Sequence, residues 1–110
     1  MTRPHRPTVL TVLTALTALT VRPAGLRAQV NYDTVRIRTI PLSKGVYMLQ
    51  GSGGNIGLSV GDDAAFLIDD QYAELSPKIL AAVKALTDKP LRFVVNTHWH
   101  GDHTGGNENL

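Results

Sequence analysis

The sequence predicts an α/β fold in which a helix packs on a β-sheet, and three observations support this class. Residues 35–40 alternate apolar and polar side chains, which is the period of a half-buried strand. Short apolar runs follow at residues 46–49, 56–60 and 64–68, each bounded by turn residues. One amphipathic segment then begins at Ser76 and leads into a further apolar run at residues 91–95. Four strands, one helix and a fifth strand are therefore expected in that order.

The four strands before the helix are separated by residues that favour turns. Pro41 is expected to end the first strand, because proline removes a backbone N–H from a sheet ladder. Residues 51–55 form a glycine-rich loop after the second strand. Residues 61–63, Gly-Asp-Asp, supply a turn between the third and fourth strands, which should pair as a hairpin.

The helix is expected to start with Ser76 as its N-cap and with Pro77 in its first turn, where a missing N–H costs nothing. Its apolar stripe consists of Ile79, Leu80, Val83 and Leu86. The strand that follows, residues 91–95, is nearly all apolar, as is typical of a strand covered on both faces. The chain after that strand lies where open α/β sheets place their functional sites.

The first 28 residues have the composition of a secretory signal peptide. Arg3 and Arg6 precede an apolar run at residues 8–21, and Ala28 offers a small residue at the cut. A helix that spans a membrane needs roughly 20 residues, so this run is short for a stable anchor. We expect an exported protein, periplasmic or secreted, in which residues 29–110 form the folded part. A mitochondrial-type transit segment or an uncleaved anchor is the alternative.

Removing this leader reverses the sign of the net charge. Four of the 11 basic residues and none of the nine acidic residues lie in residues 1–28, so the net charge changes from +2 to −2. No basic stripe remains that could neutralise a phosphate backbone, which argues against a nucleic-acid partner. The chain has no cysteine. Disulfide bridges and cysteine-based zinc sites are therefore excluded.

A cluster of metal-ligand residue types follows the last strand. Of four histidines in the sequence, three lie within six positions, His98, His100 and His103, with Asp102 between the last two. His98 and His100 are two residues apart, so an extended backbone places them on one side. Gly101 allows the chain to turn, and Asp102 with His103 can face a second point nearby. Two adjacent sites are expected, for zinc first and with iron or manganese possible.

This stretch resembles the His-x-His-x-Asp-His signature of the metallo-β-lactamase superfamily of hydrolases, and the likeness covers about residues 46–110. The resemblance implies the amino-terminal half of an αββα sandwich with a mostly antiparallel sheet. It implies that His98 and His100 bind one metal ion and that Asp102 and His103 bind a second. Asp102 would also orient the nucleophile.

The resemblance gives roles to two residues outside the motif. Asp69, which closes the fourth strand, would support the metal-binding loop from behind, although a simple turn cap is the alternative. Asn55 would belong to a flap over the substrate, although an ordinary hairpin loop is equally consistent with the sequence. Trp99 is expected to pack in the core and Asp70 to be exposed.

The function implied is zinc-dependent hydrolysis, in which metal-activated hydroxide attacks an ester, thioester, lactone or β-lactam carbonyl of a small molecule. Residues 29–110 supply only four ligands for two metals, so we expect an incomplete domain that binds metal weakly and is inactive alone. One alternative is a non-catalytic metal-binding remnant, and another is an iron-dependent, oxygen-using enzyme on the same scaffold. The sequence leaves the oligomeric state open.

Overall fold

The computed structural model describes residues 29–110, in which five strands form one sheet. The strands are β1 (Arg38–Ser43), β2 (Val46–Gln50), β3 (Ile56–Val60), β4 (Ala65–Ile68) and β5 (Leu91–Val95), and they lie side by side in that order. Helix α1 (Ser76–Leu86) connects β4 to β5, and the one-turn helix α2 (Gly101–Thr104) follows β5. The predicted order of elements is confirmed.

Three of the four strand pairings are antiparallel, and the last one is parallel. Strands β1 to β4 form a meander, and the predicted hairpin pairs Val60 with Ala65 and Gly57 with Ile68. Strand β5 runs parallel to β4, with Ile68 opposite Val95. Parallel neighbours need a crossover connection, which α1 provides. The pairing therefore brings the carboxyl ends of β4 and β5 together at one edge of the sheet.

Helix α1 packs on one face of the sheet and closes the core. Its buried residues Ile79 and Val83 belong to the predicted apolar stripe. The side chains that β2, β3 and β4 direct at the helix include Leu49, Ile56, Leu58 and Leu67, all fully or almost fully buried. The α/β fold with a mostly antiparallel sheet and one packed helix is therefore as the sequence predicts.

The opposite face of the sheet carries exposed apolar side chains. Phe66 and Phe93 are partners in the β4–β5 pairing, as are Ile68 and Val95, and all four are exposed. Phe93 is 64% exposed, so the expectation that β5 is covered on both faces is wrong for the described residues. The physical reason is that the elements of residues 29–110 cover one face of the sheet only.

The first strand begins later and ends later than predicted. Residues 32–34 form a 3₁₀ turn, and β1 continues through Pro41 to Ser43, with a break in register between Pro41 and Ser43. An edge strand tolerates proline because one side of its backbone has no ladder partner. The start of α1 also differs from the prediction, because Leu75 is the N-cap and Ser76 is the first helical residue.

The predicted leader, residues 1–28, lies outside the residues that the structure describes, and its assignment stays a prediction. Within residues 29–110, no helix has both the length and the apolar character needed to cross a membrane.

Candidate metal centre

The candidate ligands lie at the carboxyl ends of the two parallel strands. Asp69 follows β4, and Asn96 and Thr97 follow β5 before the candidate ligands begin. The ladder continues one step beyond both strands, since the Asp69 N–H donates to the carbonyl of Val95 at 2.8 Å. Asp69 is thereby placed beside Thr97, although 28 residues separate them in the chain.

One carboxylate organises this end of the sheet. Asp69 accepts a hydrogen bond from the Thr97 N–H at 2.7 Å and one from the Thr97 hydroxyl at 2.8 Å. The same oxygen that binds the hydroxyl lies 2.7 Å from Nδ1 of His103. Asp69 itself has a φ of 65°, a left-handed conformation that aspartate adopts more readily than most side chains. Its side chain therefore joins β4 to both ends of the histidine cluster.

The hydrogen bonds determine which nitrogen of two histidines is free to bind a metal. The single proton of the Thr97 hydroxyl goes to Asp69, so Thr97 Oγ1 accepts from Nδ1 of His98 at 2.9 Å. Nδ1 of His103 donates directly to Asp69. In both rings the neutral form then carries its lone pair on Nε2, which is the arrangement that metal-binding histidines commonly show.

The donor atoms approach one another in pairs. Nε2 of His98 lies 3.1 Å from Nδ1 of His100, and Nε2 of His103 lies 3.4 Å from Oδ2 of Asp102. Two ligands at bonding distance from tetrahedral zinc are about 3.3–3.5 Å apart. Among residues 29–110, no group of three or more histidine, aspartate or glutamate side chains converges as a metal ion would require. The donor pairs therefore fit zinc, but each pair by itself fills only half of a tetrahedron.

The backbone of the candidate ligand loop, residues 98–103, is held by polar residues on both sides of it. The carbonyl of His103 accepts from the Asn96 side chain at 2.8 Å and from the Asp70 N–H at 3.1 Å. Asn107 in turn donates to the side chain of Asn96 at 2.8 Å. Residues 97–99 form a bend after β5, and the ring of His103, on helix α2, lies 3.9 Å from that of His98 between ring centroids. Sequence reasoning missed these asparagines, although their positions beside the motif were a signal.

Asp70 is fully buried, so the prediction that it is exposed is wrong. Its Oδ1 accepts from the Gly106 N–H at 3.0 Å, while its Oδ2 has no hydrogen-bond partner among the described residues. The buried Ser76 hydroxyl likewise has no such partner, and a Cβ added at Gly106 would lie 3.1 Å from it. Asp70 is buried because β4 ends inside the layer where α1 and the ligand loop meet.

The glycine-rich loop 51–55 lies against the second donor pair. A Cβ added at Gly54 would lie 2.5 Å from Cε1 of His103, and one added at Gly53 would lie 2.6 Å from Cβ of Asp102. Only glycine fits at these contacts. Asn55, the residue singled out from the sequence, is exposed, and its side chain accepts from Gln50 at 3.3 Å. The structure thus brings Gly53 and Gly54 to the ligands.

Trp99 and Gly101 differ from expectation. Trp99 is 82% exposed and stands edge to face with His100 at a ring separation of 4.7 Å, so its predicted core packing is wrong for the described residues. Residues 97–99 form a bend beyond the end of β5, where no element of the described residues packs over the Trp99 ring. Gly101 has neither a positive φ nor any atom within 4 Å of an added Cβ, so its backbone does not require glycine.

Three carboxyl and imidazole groups have shifted pKa values. Burial opposes the charge on Asp69, yet hydrogen bonds from His103 and Thr97 outweigh it and hold the pKa of this carboxyl below its usual range. The hydrogen bond to Asp69 raises the pKa of His103. Burial raises the pKa of Asp70, against the hydrogen bond from Gly106. The pKa values of the neighbouring carboxyl groups of Asp69 and Asp70 are therefore shifted in opposite directions.

Three comparisons with known proteins point to the same family. The model of the metallo-beta-lactamase superfamily matches residues 49–110. A curated protein of Caenorhabditis elegans, named Beta-lactamase-like protein 2 homolog, is 33% identical over 75 residues, which cover 66% of this chain and 25% of that protein. A solved Cronobacter sakazakii structure, titled as a metallo-beta-lactamase with a HARLDQ motif, superposes with a TM-score of 0.60 at 23% identity. It covers 66% of this chain and 29% of that one. The chain thus spans about a quarter of the length of the relatives it matches.

Proposed function

Because the chain belongs to the metallo-beta-lactamase superfamily, we propose that it contributes half of the metal centre of a zinc-dependent hydrolase. This superfamily is largely hydrolytic and typically binds metal ions. The observation that carries the proposal is the pairing of donors, His98 with His100 and Asp102 with His103, at separations suited to zinc ligands. Further donors would complete both sites in the whole protein.

Asp69 supports the proposal from behind the ligands. It orients His103 directly and His98 through Thr97, so two rings present Nε2 towards the centre. Partners of this kind fix the orientation of ligands and raise their basicity. A surface loop of three histidines without a metal role would have no need of a shared buried carboxylate.

The proposed chemistry is attack by water on a carbonyl group. Zinc, when bound, makes hydroxide available at neutral pH and polarises the oxygen of the bond under attack. Asp102 is proposed to accept a hydrogen bond from the attacking water and so to orient it. The substrate class is a small molecule with an ester, thioester, lactone or β-lactam bond, and the predicted leader would deliver the enzyme to the periplasm or beyond.

Hydrolysis and metal content test this function together. The whole protein is purified and assayed against a chromogenic β-lactam, a thioester and a lactone, before and after dialysis with a chelator, and its metals are measured by elemental analysis. We expect zinc and chelator-sensitive turnover of at least one substrate, restored by adding zinc. Bound iron with oxygen consumption, or turnover that the chelator leaves unchanged, would contradict the proposal.

Zinc affinity tests the placement of the ligands. Gly54→Ala forces the His103 ring to move, because the added methyl group would lie 2.7 Å from Nε2. We expect zinc affinity, measured by competition with a chromogenic chelator, to fall about tenfold, the scale of losses when ligand orientation is disturbed. Gly101→Ala is the matched control, because its methyl group meets nothing within 4 Å. Equal affinities of the two variants would show that His103 does not bind the metal.

A further inference from the structure

Gln71 occupies a position whose backbone conformation does not suit glutamine. Its φ is 58°, in the left-handed region that glycine adopts without cost, and its side chain is fully buried. Long polar side chains are seldom buried unless both ends of the amide are satisfied. A strained backbone and a buried amide at one residue indicate that its side chain contributes something that glycine could not.

Both ends of that amide bind the glycine-rich loop. Oε1 of Gln71 accepts from the Ser52 N–H at 3.1 Å, and Nε2 donates to the carbonyl of Gly54. The amide therefore holds the loop on both sides of Gly53. The backbone carbonyl of Gln71 faces Gly105, where an added Cβ would lie 2.7 Å away. Gln71 is in contact with the loop through its side chain and with the end of the ligand segment through its backbone.

The far side of the loop touches the second donor pair. Gly53 packs against Asp102 and Gly54 against the ring of His103. The side chains of Asp102 and His103 are only 31% and 18% exposed, whereas those of His98 and His100 are more exposed. The loop therefore covers one side of the ligand cluster and leaves the side with His98, Trp99 and His100 open.

We propose that Gln71 is a positioning residue that clamps residues 51–54 against Asp102 and His103, making the loop a fixed wall of the site. Substrate then reaches the metals from the side of His98 and His100, without opening the loop. The role of residues 51–54 as a wall that substrate meets rests on the proposed function. The clamp itself is a property of the protein without metal and is tested as such.

Two variants separate the reach of the side chain from its chemistry. Gln71→Asn keeps the side-chain amide, and asparagine tolerates a positive φ, but its side chain is one methylene too short to reach Ser52 and Gly54. Gln71→Glu keeps the length but places an oxygen against the Gly54 carbonyl. Gln50→Asn is the matched control, because Gln50 binds the same loop only through the side chain of Asn55 at an exposed position.

The readouts are local and need neither metal nor activity. Amide exchange at Ser52 should be at least tenfold faster in Gln71→Asn than in the parent protein, with exchange at Leu58 unchanged as evidence of intact folding. The nuclear Overhauser contact between the Gly54 α-protons and Hε1 of His103 should weaken in both Gln71 variants. Gln50→Asn should match the parent protein in both measurements. An unprotected Ser52 amide in the parent, or a full Overhauser contact in Gln71→Asn, would overturn the clamp.

Zinc affinity measured on the same samples separates the clamp from the proposed function. If the clamp holds ligands in place, affinity should fall about tenfold in Gln71→Asn and stay unchanged in Gln50→Asn. A parent protein that binds no zinc would refute the proposed function, while exchange and the Overhauser contact would still decide the clamp. Unchanged zinc affinity in Gln71→Asn would refute the positioning role.

Discussion

At the scale of single residues, neighbouring side chains at the end of β4 have different tasks. Asp69 faces the ligand loop and receives three donors, whereas Asp70 faces the helix layer and receives one at its side chain. A charged oxygen with several donors is stabilised, while a buried carboxylate oxygen without a partner is costly. The pKa values of the two carboxyl groups are shifted in opposite directions for this reason.

Asp69→Asn tests the first of these roles. Asparagine also tolerates a positive φ, and its side-chain oxygen can still accept a hydrogen bond from the Thr97 N–H. Its amide N–H₂, however, would face two other donors, Thr97 Oγ1 and His103 Nδ1. We expect the free energy of unfolding to fall by about 2–3 kcal/mol, as for hydrogen bonds to charged groups. Urea denaturation measures it. Asp63→Asn, in an exposed turn, is the control, and equal stability of the two variants would show that Asp69 acts only as a turn residue.

Spacing along the chain carries part of the information about the candidate site. The ligand candidates His98, His100, Asp102 and His103 share one short segment, so their proximity follows from the chain itself. The exposures of Trp99 and Asp70 could not be predicted in this way, because burial depends on which other elements pack against a residue. Gln71 gave no signal at all, since its partners lie 17 and 19 positions away in the chain.

At the scale of elements, α1 does more than cover the sheet. The ammonium group of Lys78 donates to the carbonyls of Tyr32, Asp33 and Val35, at 2.8, 2.8 and 2.7 Å. These carbonyls belong to the segment that contains the 3₁₀ turn and leads into β1. Lys78 lies off the apolar stripe, as predicted, yet it attaches the start of the described chain to the helix.

Lys78→Met should detach that segment while keeping the length of the side chain. Three carbonyls lose a charged donor in a partly exposed setting, so we expect the free energy of unfolding to fall by about 1–2 kcal/mol. Lys84→Met on the same helix is the matched control, because Lys84 is exposed. Thermal or urea unfolding of both variants measures the difference. If Lys84→Met is as destabilising as Lys78→Met, the carbonyl contacts contribute nothing specific.

Periodicity predicted the elements better than it predicted their ends. Strands β2 to β5 and helix α1 lie within one or two residues of their expected positions, because their apolar patterns match the face that each buries. Strand β1 is displaced, since Pro41 was expected to end a strand that in fact continues along the edge of the sheet. A single residue could not reveal that this strand lies at the edge, because strand order is a tertiary property.

At the scale of the whole molecule, the described residues form a sheet with one covered face and one open face. Leu67 and Phe66 are neighbours on β4, yet Leu67 is fully buried under α1 and Phe66 is exposed. A strand with both faces apolar is expected where both are covered. The apolar residues of the open face are consistent with the αββα sandwich that the resemblance implies, in which a second sheet packs there.

Matched substitutions on the two faces measure this asymmetry. Leu67→Ala should lower the free energy of unfolding by about 2–5 kcal/mol, because it removes buried methyl groups and leaves a cavity. Phe93→Thr on the open face should change it by less than about 0.5 kcal/mol in this chain. Urea denaturation of both variants is the measurement. A large loss of stability for Phe93→Thr would show that the open face is covered in solution.

The sequence by itself determined the candidate donors and the order of the elements, because both depend on local pattern and residue chemistry. The tertiary structure decided how those donors are held, since Asp69 reaches Thr97 and His103 across 28 and 34 residues of chain. That contact exists because α1 lets β5 return parallel to β4, so that both strands end at the same edge. The same pairing put Gln71 under the glycine-rich loop, a contact that no local pattern encodes.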